Sequence, residues 1–397
     1  MPHFRNRFAI PIIDKLAKLW PVIGIIGLRQ SGKTTLMKNI LGIEHITTFD
    51  DIAVREEAIR SPKTFLEKLN HPVVLDEVQK APPIFDEIKL RVDQQRVPGS
   101  YYITGSTSFS NKIGIGESLT GRIGLIELFP MSLAELNNKE FRKITHLSEP
   151  IIQHQFKPRF ESAVLSRAAT LGGMPIPAFL RESDQRELYW RSWLDTTIHR
   201  DLARFFQRGF DPDFAFSILE RIATTLRNAE LPTLKHFSGS ARKTRNYLNA
   251  MEEIFLLRKI KCHPQGLGKE IWLLKDSGLA AYLMGSVLGE ENTLSLVRHF
   301  IWNEIDIQAE YQGKRLLRQY YKSGQGSPID LIINDIPFRI VPNVTSITQR
   351  LSWEERPLIG AMKKLDSKFG YLIAPIDKAE LPPRKGGIGI LPWTTWS

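Results

Sequence analysis

A glycine-rich stretch near the N-terminus has the residue types and the spacing of a phosphate-binding loop. It runs from Gly27 to Thr35 with the sequence GLRQSGKTT, which matches G-x-x-x-x-G-K-[ST] in full. Glycines let backbone N–H groups turn inward around phosphate oxygens, and the helix predicted to follow adds the positive end of its dipole. The residues expected to surround a nucleotide are Gly27, Gln30, Ser31, Gly32, Lys33, Thr34 and Thr35.

Side chains in two places along the chain are expected to carry the chemistry. Lys33 would reach the β- and γ-phosphates, and the hydroxyl of Thr34 would ligate Mg²⁺. A second motif, HPVVLDEVQ, is an apolar strand that ends in Asp76 and Glu77. Asp76 would hold Mg²⁺ through water, and Glu77 would orient and polarise the attacking water. A glutamate in the second position favours hydrolysis of the nucleotide over binding alone.

Ser106 and Arg122 are further candidates for the catalytic set. Ser106 lies in YYITGSTSF, at the end of another predicted strand, from which it or Thr107 could sense the γ-phosphate. A helix N-cap or a turn uses the same residue types, so both interpretations stay open. Arg122, in GESLTGRIG, could stabilise charge at the γ-phosphate as an arginine finger, although a surface arginine before a strand is also common. If Arg122 acts on a neighbouring chain, the protein must form a homo-oligomer.

The elements that must position these residues are strands that alternate with helices in the first third of the chain. The strand-like runs are VIGIIG, HITTFD, PVVLDE, SYYITG and GRIGLIELF. Helix-patterned stretches separate them, and this alternation predicts a parallel sheet covered on both faces. With 397 residues the chain is too long for a single core. We expect an α/β P-loop NTPase core over 1–136, a mostly helical domain over 137–285 and a mixed α/β domain over 286–397.

The net charge and the cysteine content limit the kinds of partner and the cellular compartment that the sequence suggests. Lys and Arg number 54 against 43 Asp and Glu, and the resulting net charge of +11 favours polyanionic partners, of which nucleic acid is the commonest. The single cysteine, Cys262, excludes an intrachain disulfide and fits a reducing, cytoplasmic setting.

The longest apolar run, VIGIIGL, is far too short for integral membrane insertion. The basic, apolar N-terminus could be a targeting or membrane-surface helix or, as we expect, a helix packed beside the first strand.

Several strings along the chain resemble one family, the prokaryotic AAA-like P-loop ATPases that carry a C-terminal domain of unknown function. In chain order they are GLRQSGKTTL, FDD, VVLDEVQKAP, LRVDQQR, YYITGSTSF, ESLTGRIGLIELFPMSLAEL, LGGMP, TIHRDLARF, YLNAMEEIFLLRKI and KDSGLAAYL. The resemblance implies an ATPase core that binds ATP and Mg²⁺, a winged-helix segment, and a C-terminal domain similar to restriction-type nucleases. The choice of adenine over guanine rests on the family, since no guanine-reading Asn/Thr-Lys-x-Asp motif stands out.

The segment at the family's winged-helix position is LPTLKHFSGSARKTRNYLNAMEEIFLLRKIK. Ser240 could cap a helix that begins near Ala241. The polar side of that helix would carry Arg242, Lys243, Arg245 and Asn246. A basic, asparagine-bearing helix after a glycine turn is what reading the major groove of double-stranded DNA requires. The alternative is a lid helix, or a module that contacts only protein.

The family's nuclease-like domain holds Mg²⁺ with a helix Glu, a strand Asp and a following Glu-x-Lys. Glu304 and Asp330 match the first two places, whereas Asn343 and Thr345 stand in the third. Asn343 is a neutral, weaker ligand, and Thr345 cannot supply the cation. Because metal-dependent cleavage needs at least two hard anionic ligands and an activating group, we expect this domain to be catalytically inactive and to serve binding or assembly.

The function expected from these observations is Mg²⁺-dependent ATP hydrolysis that drives a conformational switch, with nucleic-acid binding beside it. Two alternatives stay open at this point. The chain could be an ATP-gated DNA-binding regulator with little turnover, or an ATP-dependent nuclease.

Overall fold

The computed structural model describes residues 5–109, 119–142, 158–228, 230–237, 239–285, 290–313, 317–324, 327–342, 351–376 and 387–397. The chain forms two compact units. The first contains 1–130, 253–255 and 310–313, and the second contains 131–252, 256–309 and 314–397. The division into three domains that the sequence suggests stays a prediction. No helix within the described ranges is long and apolar enough to span a membrane.

The first unit is built on a five-stranded sheet. Its strands are β1 (Val22–Ile26), β2 (Ile46–Thr48), β3 (Val73–Asp76), β4 (Tyr101–Gly105) and β5 (Ile123–Glu127). All neighbouring strands are parallel, and their order is β2-β3-β4-β1-β5. The predicted parallel-sheet α/β core is therefore confirmed.

Helices pack on this sheet through apolar side chains. They are α1 (Ile10–Leu19), α2 (Lys33–Thr35, continued by a π-helical turn, Leu36–Ile40), α3 (Ile52–Arg60), α4 (Pro62–Glu67) and α5 (Pro83–Gln94). Helix α1 lies against β1 and β5, as expected from its sequence. Phe65 of α4 and Phe85 and Ile88 of α5 share a buried cluster with Val22 and Leu75 of the sheet. Burying each such side chain stabilises the fold by about 1.5–3 kcal/mol.

The parallel arrangement brings three loops to one edge of the sheet. The register pairs Ile26, the last residue of β1, with Gly105, the last residue of β4. In β3 the last residue is Asp76, which is level with Thr48 of β2. Because carboxyl ends of parallel strands meet at the same edge, the segments after β1, β3 and β4 emerge side by side.

Residues from late in the chain complete the first unit at the end of β5. The backbone N–H of Glu127 donates to Oε1 of Glu310, and the N–H of Phe129 donates to the hydroxyl oxygen of Tyr311, both at 3.1 Å. The rings of Phe129 and Tyr311 are also in contact. The first unit is thus assembled from separate stretches of the chain.

The earlier part of the second unit is mostly helical. Its helices are α6 (Leu133–Leu136), α7 (Ser162–Leu171), α8 (Ser183–Thr196, extended by a π-helical turn, Thr197–Leu202), α9 (Pro212–Arg227), α10 (Ala241–Glu253) and α11 (Ser277–Met284). Strands β6 (Leu257–Ile260) and β7 (Ile271–Leu274) form an antiparallel pair after α10. An isolated antiparallel bridge adds Thr233 beside Ile271 of β7.

Asp276 joins α11 to the segment that follows α7. Its Oδ1 accepts a hydrogen bond from the N–H of Leu279 at 3.0 Å, which caps α11. Its Oδ2 accepts hydrogen bonds from the N–H groups of Gly173 and Met174, at 2.8 and 3.1 Å. Burial raises the pKa of Asp276 to about 6, although the N–H donors act in the opposite direction. One buried carboxylate therefore satisfies backbone groups from two separate segments.

The later part of the second unit contains a mixed sheet. Helix α12 (Glu290–Tyr311) precedes the strands β8 (Arg318–Tyr321), β9 (Ile329–Ile333) and β10 (Ile336–Ile340), and α13 (Leu351–Leu365) precedes β11 (Gly370–Ala374) and β12 (Ile388–Pro392). The strand order is β12-β11-β10-β9-β8. Strands β8, β9 and β10 pair antiparallel, whereas β10, β11 and β12 pair parallel. The predicted mixed α/β character of this region is confirmed.

Candidate active site

The loop after β1 has the backbone conformation that phosphate binding needs. Gly27 and Gly32 have φ values of 146° and 100°, a region that favours glycine. A Cβ on Gly27 would lie 2.5 Å from the carbonyl oxygen of Leu128, so a side chain is also excluded there by space. Gln30 adopts a positive φ of 61° at the exposed tip of the loop. This geometry turns the loop sharply between β1 and α2.

The other predicted loop residues surround this turn. Ser31 is fully buried, and its hydroxyl has no hydrogen-bond partner among the described residues. Lys33 is buried, and its Nζ donates to the carbonyl oxygens of Gly27 and Leu28, both at 2.9 Å. Thr34 and Thr35 follow Lys33 in α2 and are exposed. The loop's own carbonyl oxygens therefore hold the ammonium group that is predicted to bind phosphate.

The two predicted magnesium ligands lie in direct contact. The hydroxyl of Thr34 donates to Oδ1 of Asp76 at 3.0 Å. Thr104, on β4, also donates to this Oδ1, and its hydroxyl oxygen accepts the N–H of Glu77 at 3.2 Å. A hydroxyl and a carboxylate are hard oxygen donors of the kind that Mg²⁺ prefers, and phosphates and water supply the rest of its octahedral shell. The donor set at this edge of the sheet fits the ion.

Glu77 is held by hydrogen bonds from two neighbouring side chains. Its Oε2 accepts from the hydroxyl of Ser106 at 3.0 Å and from Nε2 of Gln79 at 2.5 Å. Glu77 itself has a left-handed backbone, with φ of 55°, at the sharp turn after β3. Ser106 thus lies beside the predicted base, at the end of β4, as its sequence position suggests. The contribution of Gln79 was not foreseen, although the string DEVQ contains it.

Arg7 is a second residue at this site that no sequence motif indicates. Its guanidinium is buried and donates to the carbonyl oxygen of Ser31 at 2.8 Å and to that of Phe129 at 2.5 Å. It therefore ties the phosphate-binding loop to the segment that follows β5. Since 24 and 122 residues separate Arg7 from these partners, no local pattern could have revealed the contact.

Arg122 does not reach this site in its own chain. It immediately precedes β5, whose first residue, Ile123, is level with Val22 at the start of β1. The phosphate-binding loop follows the opposite end of β1, about 15 Å away at the usual rise per residue of a strand. Arg122 instead pairs with Asp93 through two contacts of 2.6 and 2.8 Å, which lower the pKa of Asp93. A finger role within the same chain does not fit this arrangement, and only a role at a neighbouring chain's site stays a prediction.

The predicted DNA-contacting residues divide into two groups on α10. Arg242, Arg245 and Asn246 are exposed, and their spacing places them on one face of the helix. Lys243 is half-buried instead, where its Nζ pairs with Asp211 at 2.7 Å and lies 4.2 Å from the ring centroid of Phe214. Lys243 thus fastens α10 to the start of α9.

The two carboxylates predicted from the resemblance to a nuclease-like domain, Glu304 and Asp330, are engaged by groups of the second unit. Glu304 is buried and accepts the N–H of Leu133 at 2.8 Å, and burial raises the pKa of Glu304 to about 8. Asp330 forms an ion pair with Arg298 at 2.8 Å and accepts the N–H of Ile340 at 2.7 Å. In the described part of the chain, no cluster of three or more His, Cys, Asp or Glu could hold a metal ion. Asn343 and Thr345 lie outside the described residues.

Residues 20–137 match the family model of the AAA domain. Two curated relatives, the uncharacterized proteins Rv2008c of Mycobacterium tuberculosis and Mb2031c of Mycobacterium bovis, are each 26% identical to this chain over 282 residues. These alignments cover 67% of this chain, which spans only 56% of the length of either relative.

Two solved structures show more distant similarity. The Walker-type ATPase PABY2304 of Pyrococcus abyssi is 13% identical with a TM-score of 0.43, covering 70% of this chain and 96% of that one. AMPPCP-bound DnaA from Aquifex aeolicus is 11% identical with a TM-score of 0.28, covering 62% and 86% of the two chains. The family match over residues 20–137 and the geometry of the loop within them both support an AAA-like P-loop domain in this part of the chain.

Proposed function

We propose that this protein is a Mg²⁺-dependent ATPase in which nucleotide binding and hydrolysis drive a conformational switch. The observation that carries the proposal is the convergence of three loops at one sheet edge. There Lys33 lies in the phosphate-binding loop, Thr34 contacts Asp76, and Ser106 contacts Glu77. This arrangement supplies a cation suited to bind phosphate, a hydroxyl and a carboxylate suited to ligate Mg²⁺, and a second carboxylate suited to act as a base.

Each of these groups has a distinct task in the proposed reaction. Lys33 would exchange the loop carbonyls for oxygens of the β- and γ-phosphates and stabilise the charge that develops there. Glu77 would orient a water molecule and accept its proton during attack on the γ-phosphate. Thr34 and Asp76 would hold Mg²⁺, which neutralises phosphate charge when it is bound. Arg7 would keep the loop in shape through the carbonyl of Ser31.

The first test is ATP turnover by the purified protein and by Lys33→Ala. We expect Lys33→Ala to lower kcat/KM for ATP by about 100-fold or more, because it removes a charge that contacts the transferred phosphoryl group. Lys38→Ala, an exposed lysine just after α2, is the matched control and should behave as wild type. Release of phosphate is measured with Mg²⁺ and with excess chelator. Equal turnover by wild type and Lys33→Ala would refute the ATPase proposal.

We further propose that the α10 region binds double-stranded DNA. The order of helix α9, the bridge at Thr233, helix α10 and the β6–β7 pair supports the winged-helix segment that the sequence resemblance implies. The exposed Arg242, Arg245 and Asn246 would face the duplex, and the net charge of +11 favours a polyanion. The mixed sheet after α12, with the order β12-β11-β10-β9-β8, supports the nuclease-like domain that the sequence resemblance implies. Since Glu304 and Asp330 are engaged within the protein, we assign that region to binding or assembly.

The DNA proposal predicts a salt-dependent affinity that two arginines control. The double variant Arg242→Glu and Arg245→Glu should weaken binding to a duplex by at least about tenfold at 50 mM salt, and it should flatten the dependence of log Kd on log salt. The control is Arg167→Glu with Arg191→Glu, which makes the same charge change at exposed positions of α7 and α8. Fluorescence anisotropy with a labelled duplex measures the affinity. Equal weakening in both double variants would indicate nonspecific attraction and would contradict a reading face on α10.

A further inference from the structure

We propose that Gln79 is a positioning residue for Glu77. This inference rests on the proposed function, because it concerns how the predicted base is oriented for hydrolysis. Gln79 lies in the short 3₁₀ segment Val78–Lys80, immediately after the turn at Glu77. Its amide contacts both Glu77 and Ser106, the two polar side chains at the ends of β3 and β4.

The hydrogen bonds define which atom of Gln79 faces Glu77. A carboxylate only accepts hydrogen bonds, so the amide nitrogen must be the atom 2.5 Å from Oε2 of Glu77. The same nitrogen lies 3.4 Å from the hydroxyl oxygen of Ser106, which in turn donates to Oε2 at 3.0 Å. The three side chains form a closed triangle of contacts. Oε2 of Glu77 is thereby fixed by two donors.

The other oxygen of Glu77 is left available. Oε1 accepts no hydrogen bond from any residue in the described part of the chain, and Glu77 is only half-buried. Two donors on Oε2 hold the carboxylate in one orientation and oppose its rotation. The geometry therefore presents Oε1 as the oxygen that takes the proton from water. Loss of either donor would let the carboxylate rotate between several orientations.

The far side of the Gln79 amide shows that packing alone does not account for this residue. Its Oε1 is buried with no hydrogen-bond partner among the described residues, which costs about 1–3 kcal/mol. This oxygen lies over Gly105, where an added Cβ would be only 3.0 Å away. An apolar side chain of similar size would avoid that cost. The presence of an amide at this position is therefore accounted for by the hydrogen bond that its nitrogen donates to Glu77.

The first experiment compares steady-state ATP hydrolysis by wild type and Gln79→Leu. We expect kcat to fall by about 10- to 100-fold, with KM for ATP unchanged within about twofold, because only the orientation of the base is lost. In a Glu77→Gln background the same substitution should have no further effect, since there is no base left to position. The control is Gln94→Leu, the same change at the exposed end of α5. Wild-type kcat in Gln79→Leu, or an increase in kcat, would overturn the proposal.

A second variant separates positioning from a structural role. In Gln79→Glu the side chain keeps nearly the same size and stays polar, but an ionised carboxylate cannot donate a hydrogen bond to Glu77 and repels it. We therefore expect Gln79→Glu to lower kcat at least as much as Gln79→Leu, with KM for ATP unchanged within about twofold. A role that depended only on the size and polarity of the side chain would survive this substitution. Wild-type kcat in Gln79→Glu would overturn the proposal.

Failure of this inference is distinguishable from failure of the proposed function. If Lys33→Ala retains wild-type turnover, the ATPase proposal itself is refuted. If Lys33→Ala and Glu77→Gln both abolish turnover while Gln79→Leu does not lower it, the ATPase proposal stands and only the role of Gln79 is refuted.

Discussion

Replacement of Glu77 by glutamine is expected to reduce kcat for ATP hydrolysis by about 100- to 1,000-fold while ATP binding persists. Glutamine has nearly the same shape as glutamate, so the turn after β3 and the donors around it can remain. An amide cannot accept the proton of the attacking water, however, and the chemical step loses its base. Single-turnover hydrolysis measures this loss, and equilibrium binding of a fluorescent ATP analogue measures the retained affinity.

The left-handed backbone at Glu77 makes glutamine a better probe than a β-branched residue. With φ of 55° the turn would be strained by valine or threonine, and lost activity could then reflect a distorted loop. Glu56→Gln, at an exposed position of α3, is the control for the amide substitution. If Glu77→Gln hydrolysed ATP at the wild-type rate, another group would have to activate the water.

Replacement of Asp276 by alanine is expected to lower the free energy of unfolding of the second unit by about 3–5 kcal/mol. The substitution removes the acceptor for the N–H groups of Gly173, Met174 and Leu279. Because Asp276 is only 1% exposed, water cannot readily replace it. Urea unfolding is followed by tryptophan fluorescence, since Trp190, Trp193 and Trp272 are buried in this unit.

The pH dependence of this effect has a definite sign. The pKa of Asp276 is raised from 3.8 to about 6 in the folded protein. Because the folded protein binds this proton more tightly than the unfolded chain does, protonation of Asp276 increases the free energy of unfolding. This contribution is fully present below pH 3.8 and is lost as the pH rises through 6. The destabilisation by Asp276→Ala should accordingly be larger at pH 5 than at pH 7.5. Asp184→Ala, at an exposed position of α8, is the control. A change below about 1 kcal/mol for Asp276→Ala would contradict the assigned role.

The nucleotide site could be predicted from sequence because its signals are local. A strand, a glycine turn and a helix place Lys33 and Thr34 within a few residues of each other. A buried strand ends in Asp76 and Glu77, and parallel strands bring their carboxyl ends together. The alternation of strands and helices predicted the parallel sheet that brings the two motifs to one edge, whereas the order of the strands is known only from the structure.

Apart from Gln79, which contacts Glu77 only two positions away, the residues that sequence reasoning missed or misplaced depend on contacts between distant segments. Arg7 is buried against carbonyl oxygens that no motif marks. Lys243 has the same charge as its neighbours, but its pairing with Asp211, 32 residues earlier, removes it from the exposed face. Arg122 precedes a parallel strand and so lies at the amino edge of the sheet. The nucleotide site lies at the opposite edge, where the carboxyl ends of the strands meet. The sequence alone does not show that the length of a strand separates Arg122 from that site.

The contacts at the end of β5 also constrain the order in which the protein can become complete during synthesis. Tyr311 is 182 residues further along the chain than Phe129, whose N–H it receives. At typical translation rates a ribosome needs on the order of ten to forty seconds to make that stretch. During this interval a nascent chain already contains the whole phosphate-binding loop and its anchor, Arg7. It does not yet contain Glu310 and Tyr311, which accept the N–H groups of Glu127 and Phe129 at the end of β5. A fragment that ended after residue 137 would likewise contain every nucleotide motif, but the N–H groups of Glu127 and Phe129 would lack these two acceptors.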